Sequence, residues 1–131
     1  MEHPGLSDLR ALLINVGGIE LVPAPGGVDN GISLLVAEGE VMSGPVTLDE
    51  MAPSHCHANI ARQWLARRAG LTGICLGYAL GDDGFWRQHW WGELAGGGIL
   101  ETTMARAIYF GVVLQDPQGV SEEILREFGP K

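Results

Sequence analysis

The chemistry this chain can do is concentrated in a few side chains. Cys56 stands in a polar run, Ser54-His55-Cys56-His57-Ala58-Asn59, whereas Cys75 lies in the apolar setting Gly73-Ile74-Cys75-Leu76-Gly77. A thiol becomes a nucleophile as its thiolate, and the start of a helix favours that form through its unpaired N–H groups and its dipole. The same N–H groups can receive a developing oxyanion. His89 is of the type that takes a thiol proton and later hands it to a leaving amine. Glu101 can orient that imidazole through its other nitrogen, as the third member of a triad does. Asn59 and Gln88 are candidate oxyanion donors, and Trp86 and Arg87 candidate substrate contacts. Arg87 also disfavours an imidazolium at His89.

Each of these has a plainer reading. Free cysteine is most often buried, and that is the expectation for Cys75. Glu101 can instead pair with Arg87 or Arg106 as a structural ion pair. Trp86, Trp90 and Trp91 suit hairpin and core packing, and only an exposed remainder would wall a groove.

The elements that must position these residues can be read from periodicity. Residues 7–16 suit a short helix with Ser7 as N-cap and Gly17-Gly18 as stop. Residues 19–22 suit a brief strand before the turn-rich Pro23-Ala24-Pro25-Gly26-Gly27. Residues 32–42 are apolar and lean towards β, with a break at Gly39, and Ser43-Gly44-Pro45 is a turn. Ile60, Ala61, Trp64 and Leu65 have helical spacing within 58–68, so Cys56 falls near the first turn. Residues 71–80 and 85–94 form a hairpin around Gly81-Asp82-Asp83-Gly84. Gly96-Gly97-Gly98 turns into a strand over 99–103, residues 107–114 suit a further strand, and Ser121 is expected to cap a last helix over 122–128.

Alternation then sorts the faces. Phe85, Arg87, His89 and Trp91 share one, Trp86, Gln88 and Trp90 the other, and Ile99, Glu101 and Thr103 share a face of the next strand. If the glycine turn makes these strands antiparallel neighbours, Glu101 can lie beside or diagonal to His89.

The order of a cysteine on a helix, a histidine on a strand and an acidic residue on the next strand resembles the papain-like thiol hydrolase core. That group includes peptidases, cell-wall amidases, transglutaminases and glutamine deamidases. The likeness covers roughly 53–114 and rests on order and element type. It departs from the peptidases where they place a glutamine before the cysteine, since Ser54 and His55 stand there. Cys56-His57-Ala58-Asn59, Tyr78-Ala79-Leu80, Trp86-Arg87-Gln88-His89 and Glu101-Thr102-Thr103 also look like a family of small bacterial proteins, which suggests a functional site without naming a substrate. The resemblance implies a cysteine-dependent amide hydrolase, deamidase or acyl transferase that needs no cofactor and acts on a small-molecule or peptide amide.

Two other classes stay open. His55, Cys56, His57 and His89 contain enough soft and imidazole ligands for a metal site, although no second Cys-x-x-Cys or His-x₃-His supports one. A non-catalytic binding domain would let Cys56 become serine without loss of function.

Bulk composition narrows the setting. With 131 residues, 46 % hydrophobic and 18 % charged, the chain has the size and composition of one globular domain. The expectation is one domain over 1–131, with a framing segment 1–52, a core 53–114 and a C-terminal helix over 115–131. The fold class expected is α+β, a helix packed on an antiparallel sheet of about four to six strands. Eight basic against sixteen acidic residues give a formal charge of −8, which disfavours nucleic acid as a partner. No apolar run reaches the roughly 20 residues that span a bilayer. The N-terminus does not read as a signal peptide, so a cytoplasmic location and two free thiols are expected. The tryptophans and the apolar content are compatible with a homodimer.

Overall fold

A computed structural model describes residues 5–22 and 31–128. The turn expected at Pro23 to Gly27 lies outside them. The chain is mixed α+β, with four helices and a mainly antiparallel sheet. Its described residues group into two compact units, one formed by 5–22, 31–42, 76–89 and 106–112, the other by 43–75, 90–105 and 113–128.

The first unit opens with α1, Leu6–Val16, which places Leu6, Leu9 and Leu13 on one buried stripe. Gly5 precedes it without a side-chain cap, so Ser7 is inside the helix and not its cap. Gly17 ends it as expected, its N–H bonding Leu13 O at 3.0 Å. β1, Glu20–Leu21, runs parallel to the start of β5, Phe85–Leu94, with Leu21 opposite Trp86.

Residues expected to lean towards β are instead α2, Ile32–Glu38, followed at Gly39 by β2, Glu40–Met42. Burial of Ile32 and Leu35, one helical turn apart, outweighs the modest helix propensity of the branched side chains. Gly39 is needed at the break, since a Cβ there would stand 2.5 Å from the Phe110 ring and 2.6 Å from Leu35 O. The core of this unit joins the three α1 leucines to Leu21, Ile32, Leu35, Tyr78, Trp86 and Phe110.

In the second unit β3, Val46–Leu48, leads to α3, Cys56–Leu65. α3 packs on α4, Pro117–Phe128, through Ala58, Ala61 and Ile124, with Trp90 against them. Ile60 packs with Ile74 and Leu100. Gly92 lets α3 approach β5, because a Cβ there would lie 2.9 Å from Ile60 Cδ1 and 2.6 Å from Leu71 Cδ1.

α4 starts a turn earlier than expected. Asp116 Oδ1 accepts from Gly119 N at 3.0 Å and Pro117 takes the first helical position, so Asp116 caps the helix and Ser121 lies buried within it.

β4, Leu71–Leu80, β5 and β7, Ile108–Val113, contribute to both units. The hydrogen-bonded order is β2-β7-β4-β5-β6-β3, where β6 is Ile99–Glu101, and β1 joins β5 off this path. β2 on β7 and β6 on β5 are antiparallel. β3 on β6 and β1 on β5 are parallel, so the sheet is mainly antiparallel, as expected, with two parallel pairs. Both exceptions are strands of two or three residues delivered from distant sequence.

Candidate functional site

Cys56 is the first residue of α3 and is half-buried. The chain enters through Ser54, which has φ of 63°, a left-handed conformation uncommon for a residue with a side chain. His55 follows, its Nδ1 2.8 Å from Pro53 O. One turn into the helix Asn59 is buried, its N–H bonds His55 O at 2.8 Å, and its side-chain amide donates to Ala52 O at 2.7 Å. Asn59 therefore holds the approach segment against the helix start.

The same segment is tied to the strand that carries Glu101. Leu48 pairs with Glu101, Asp49 N donates to Glu101 O at 2.8 Å, and Met51 N donates to Thr102 O at 2.7 Å. Glu101 closes β6 and is fully buried. Its Oε2 accepts from both the N–H and the hydroxyl of Thr103, each at 2.9 Å. A buried carboxylate is tolerated only when such donors replace water.

His57 lies beside Trp90, with ring centroids 6.5 Å apart and planes tilted by 51°. Burial, and secondly the charge of His55, push the His57 imidazole below its ordinary pKa. Cys75 is fully buried, and burial followed by the Glu93 carboxylate pushes its thiol up to about 12. It is a core residue, as expected from its apolar neighbours.

In the first unit His89 is only 2 % exposed. Its ring stands 6.2 Å from that of Tyr109. Residues 85–86 of β5 pair with β1 and residues 92–93 with β6, and His89 is on the stretch between. Trp86 is fully buried in the core, and its indole N–H donates to Gly17 O at 2.9 Å. Packing is thus the reading observed for Trp86, not a groove wall. Arg87 is exposed and pairs with Asp83 at 2.9 Å, with its guanidinium 5.7 Å from the Phe85 centroid. The hydrogen bond from Arg87 is the main cause that holds the Asp83 carboxyl below its ordinary range. Gln88 is half-buried.

Cys56, Asn59 and Glu101 therefore belong to one unit, and Trp86, Arg87, Gln88 and His89 to the other. Among the described residues no three His, Cys, Asp or Glu side chains converge as metal ligands would, so the set His55, Cys56, His57 and His89 gains no support. Sequence reading did not foresee the Thr103 clamp on Glu101 or the Asn59–Ala52 contact. The signal available was a hydroxyl residue two places after a strand-end carboxylate.

Searches with this sequence and structure found no matching family model, curated protein or solved structure. Among the described residues no helix is long and apolar enough to cross a membrane.

Proposed function

We propose that the protein is a cysteine-dependent amide hydrolase, with side-chain deamidation included, or an acyl transferase working through the same intermediate. Cys56 is the nucleophile, His89 the general base and acid, and Glu101 the group that orients His89.

One observation carries this reading. Among the described residues the buried polar side chains are Asn59, His89, Glu101, Thr102, Thr103 and Ser121. All but Ser121 fall within the short strings 56–59, 86–89 and 101–103 that carry the likeness to small bacterial proteins, each of which holds one of Cys56, His89 and Glu101. Burying an imidazole, a carboxylate and an amide costs stability unless each is satisfied, so such groups gather where a protein does chemistry. The helix start at Cys56 adds N–H donors suited to a thiolate and to an oxyanion.

In the proposed reaction the Cys56 thiol loses its proton to His89, and sulfur attacks the amide carbonyl. The C–S bond forms as the carbonyl π pair moves to oxygen, where the Cys56 backbone N–H can receive it. Collapse breaks the C–N bond, and the His89 imidazolium protonates the departing amine. Water or an amine, deprotonated by His89, then attacks the thioester, and the C–S bond breaks as the thiol regains its proton. Papain-like geometry is the form of this site we expect.

The test is capture of the acyl intermediate. After exposure to short activated acyl esters, intact-mass analysis should show one added acyl group, mapped to Cys56 and absent from Cys56→Ser. Acylation spread over lysine and the N-terminus, or unchanged in Cys56→Ser, would remove the nucleophile from the account.

A further inference from the structure

A cavity of about 290 Å³ opens at the far end of α3 and is lined by Trp64, Leu65, Arg67, Arg68, Leu71 and Gln118. All six residues belong to the second unit. The ten residues of α3 span about 15 Å, which sets this cavity apart from Cys56.

Its walls are fixed by their own contacts. Trp64 Nε1 donates to Gln118 Oε1 at 3.0 Å, and Gln118 Nε2 donates to Glu122 Oε2 at 3.0 Å. Arg68 is held by Asp49 at 2.6 Å, so its charge is already balanced. Arg67 differs. Its backbone turns out of the helix at φ of 57°, and its guanidinium has no hydrogen bond or ion pair with another described residue.

We propose that this cavity binds a small organic carboxylate. Arg67 takes the carboxylate through its planar fork, while the Trp64 ring and Leu71 flank the rest of the molecule. Size and charge both favour that class. The volume is near the lower end of the roughly 300–1,000 Å³ typical of ligand pockets. One unbalanced guanidinium matches one negative charge. A phosphate, with nearly two, would carry charge that this single guanidinium does not match, close to the negative end of α3. On a chain of net charge −8 an anion needs a local cation, and Arg67 supplies one at this cavity.

The four tryptophan indole N–H signals of the full chain provide the readout, with the Trp64 signal assigned by its loss in Trp64→Phe. Sodium benzoate should shift that signal saturably in the millimolar range. Arg67→Gln should weaken binding about tenfold, as loss of one charge-assisted contact does. Its other three indole signals should stay in place, which shows that the fold survives. Benzyl alcohol and inorganic phosphate at matched ionic strength should give no saturable shift. The inference fails if benzoate gives none either, if benzyl alcohol serves as well, or if Arg67→Gln binds unchanged. Phosphate binding as tightly as benzoate would overturn the carboxylate class. None of these outcomes depends on Cys56 reactivity.

Discussion

The helices α1 and α2 and the segment around the start of α3 and the end of β6 are built by opposite rules. In the first, the buried side chains are Leu6, Leu9, Leu13, Ile32 and Leu35, all hydrocarbon. In the second, Asn59, Glu101, Thr102 and Thr103 are buried, and three of them are tied by specific hydrogen bonds, Asn59 to Ala52 and Thr103 to Glu101. An apolar core is stabilised by area removed from water and tolerates small losses of shape. A buried polar cluster must satisfy each group and is a costly way to gain stability. The first region therefore serves the fold, and the second is where the proposed chemistry places its groups.

That contrast can be broken by mutation. The largest stability effect is expected from Leu13→Ala, which should lower unfolding free energy by about 2–5 kcal/mol, the range for a leucine lost from a packed core. Denaturant titration measures it. The alkylation rate of Cys56 in the folded protein should not change. A large change in that rate would mean that the two regions are not separable in function.

A smaller effect separates the two cysteines. Cys75 keeps its proton in the folded state up to about 12, while an unfolded thiol ionises near the ordinary free-thiol value of about 8.5. Between those values the folded state binds more protons, so stability falls as pH rises. The loss from this group is at most about 1.4 kcal/mol per pH unit. Unfolding titrations above the lower value should show a shallower slope in Cys75→Ala. An unchanged slope would assign the alkaline loss to other groups, with the buried Tyr78 phenol, also raised by burial, the first to examine.

Local pattern made much of this legible. Alternation and Gly81-Asp82-Asp83-Gly84 disclose the β4–β5 hairpin, and the spacing of Ile60, Ala61, Trp64 and Leu65 discloses α3. What pattern could not disclose depended on partners distant in sequence. Ile32 to Glu38 became helical because Leu35 had a core to enter, and Val46 to Leu48 became a strand because β6 offered an edge. Asp116-Pro117 carries a helix-start signal, a cap followed by a residue suited to the first helical position, which the reading of Ser121 as the cap passed over. At the candidate site the residue types pointed to Cys56, His89 and Glu101, because few side chains can do nucleophilic chemistry. Their burial was not readable, nor was the clamp on Glu101, since neither leaves a periodic trace.

The most direct test of the central claim is the iodoacetamide alkylation rate of Cys56 against pH, in the wild type and in His89→Ala. The account predicts a fast thiol with an apparent pKa well below about 8.5, the ordinary free-thiol value, and a clear slowing near neutral pH when His89 is removed. An ordinary pKa that His89→Ala leaves unmoved would contradict it and leave Cys56 a half-buried thiol at a helix start.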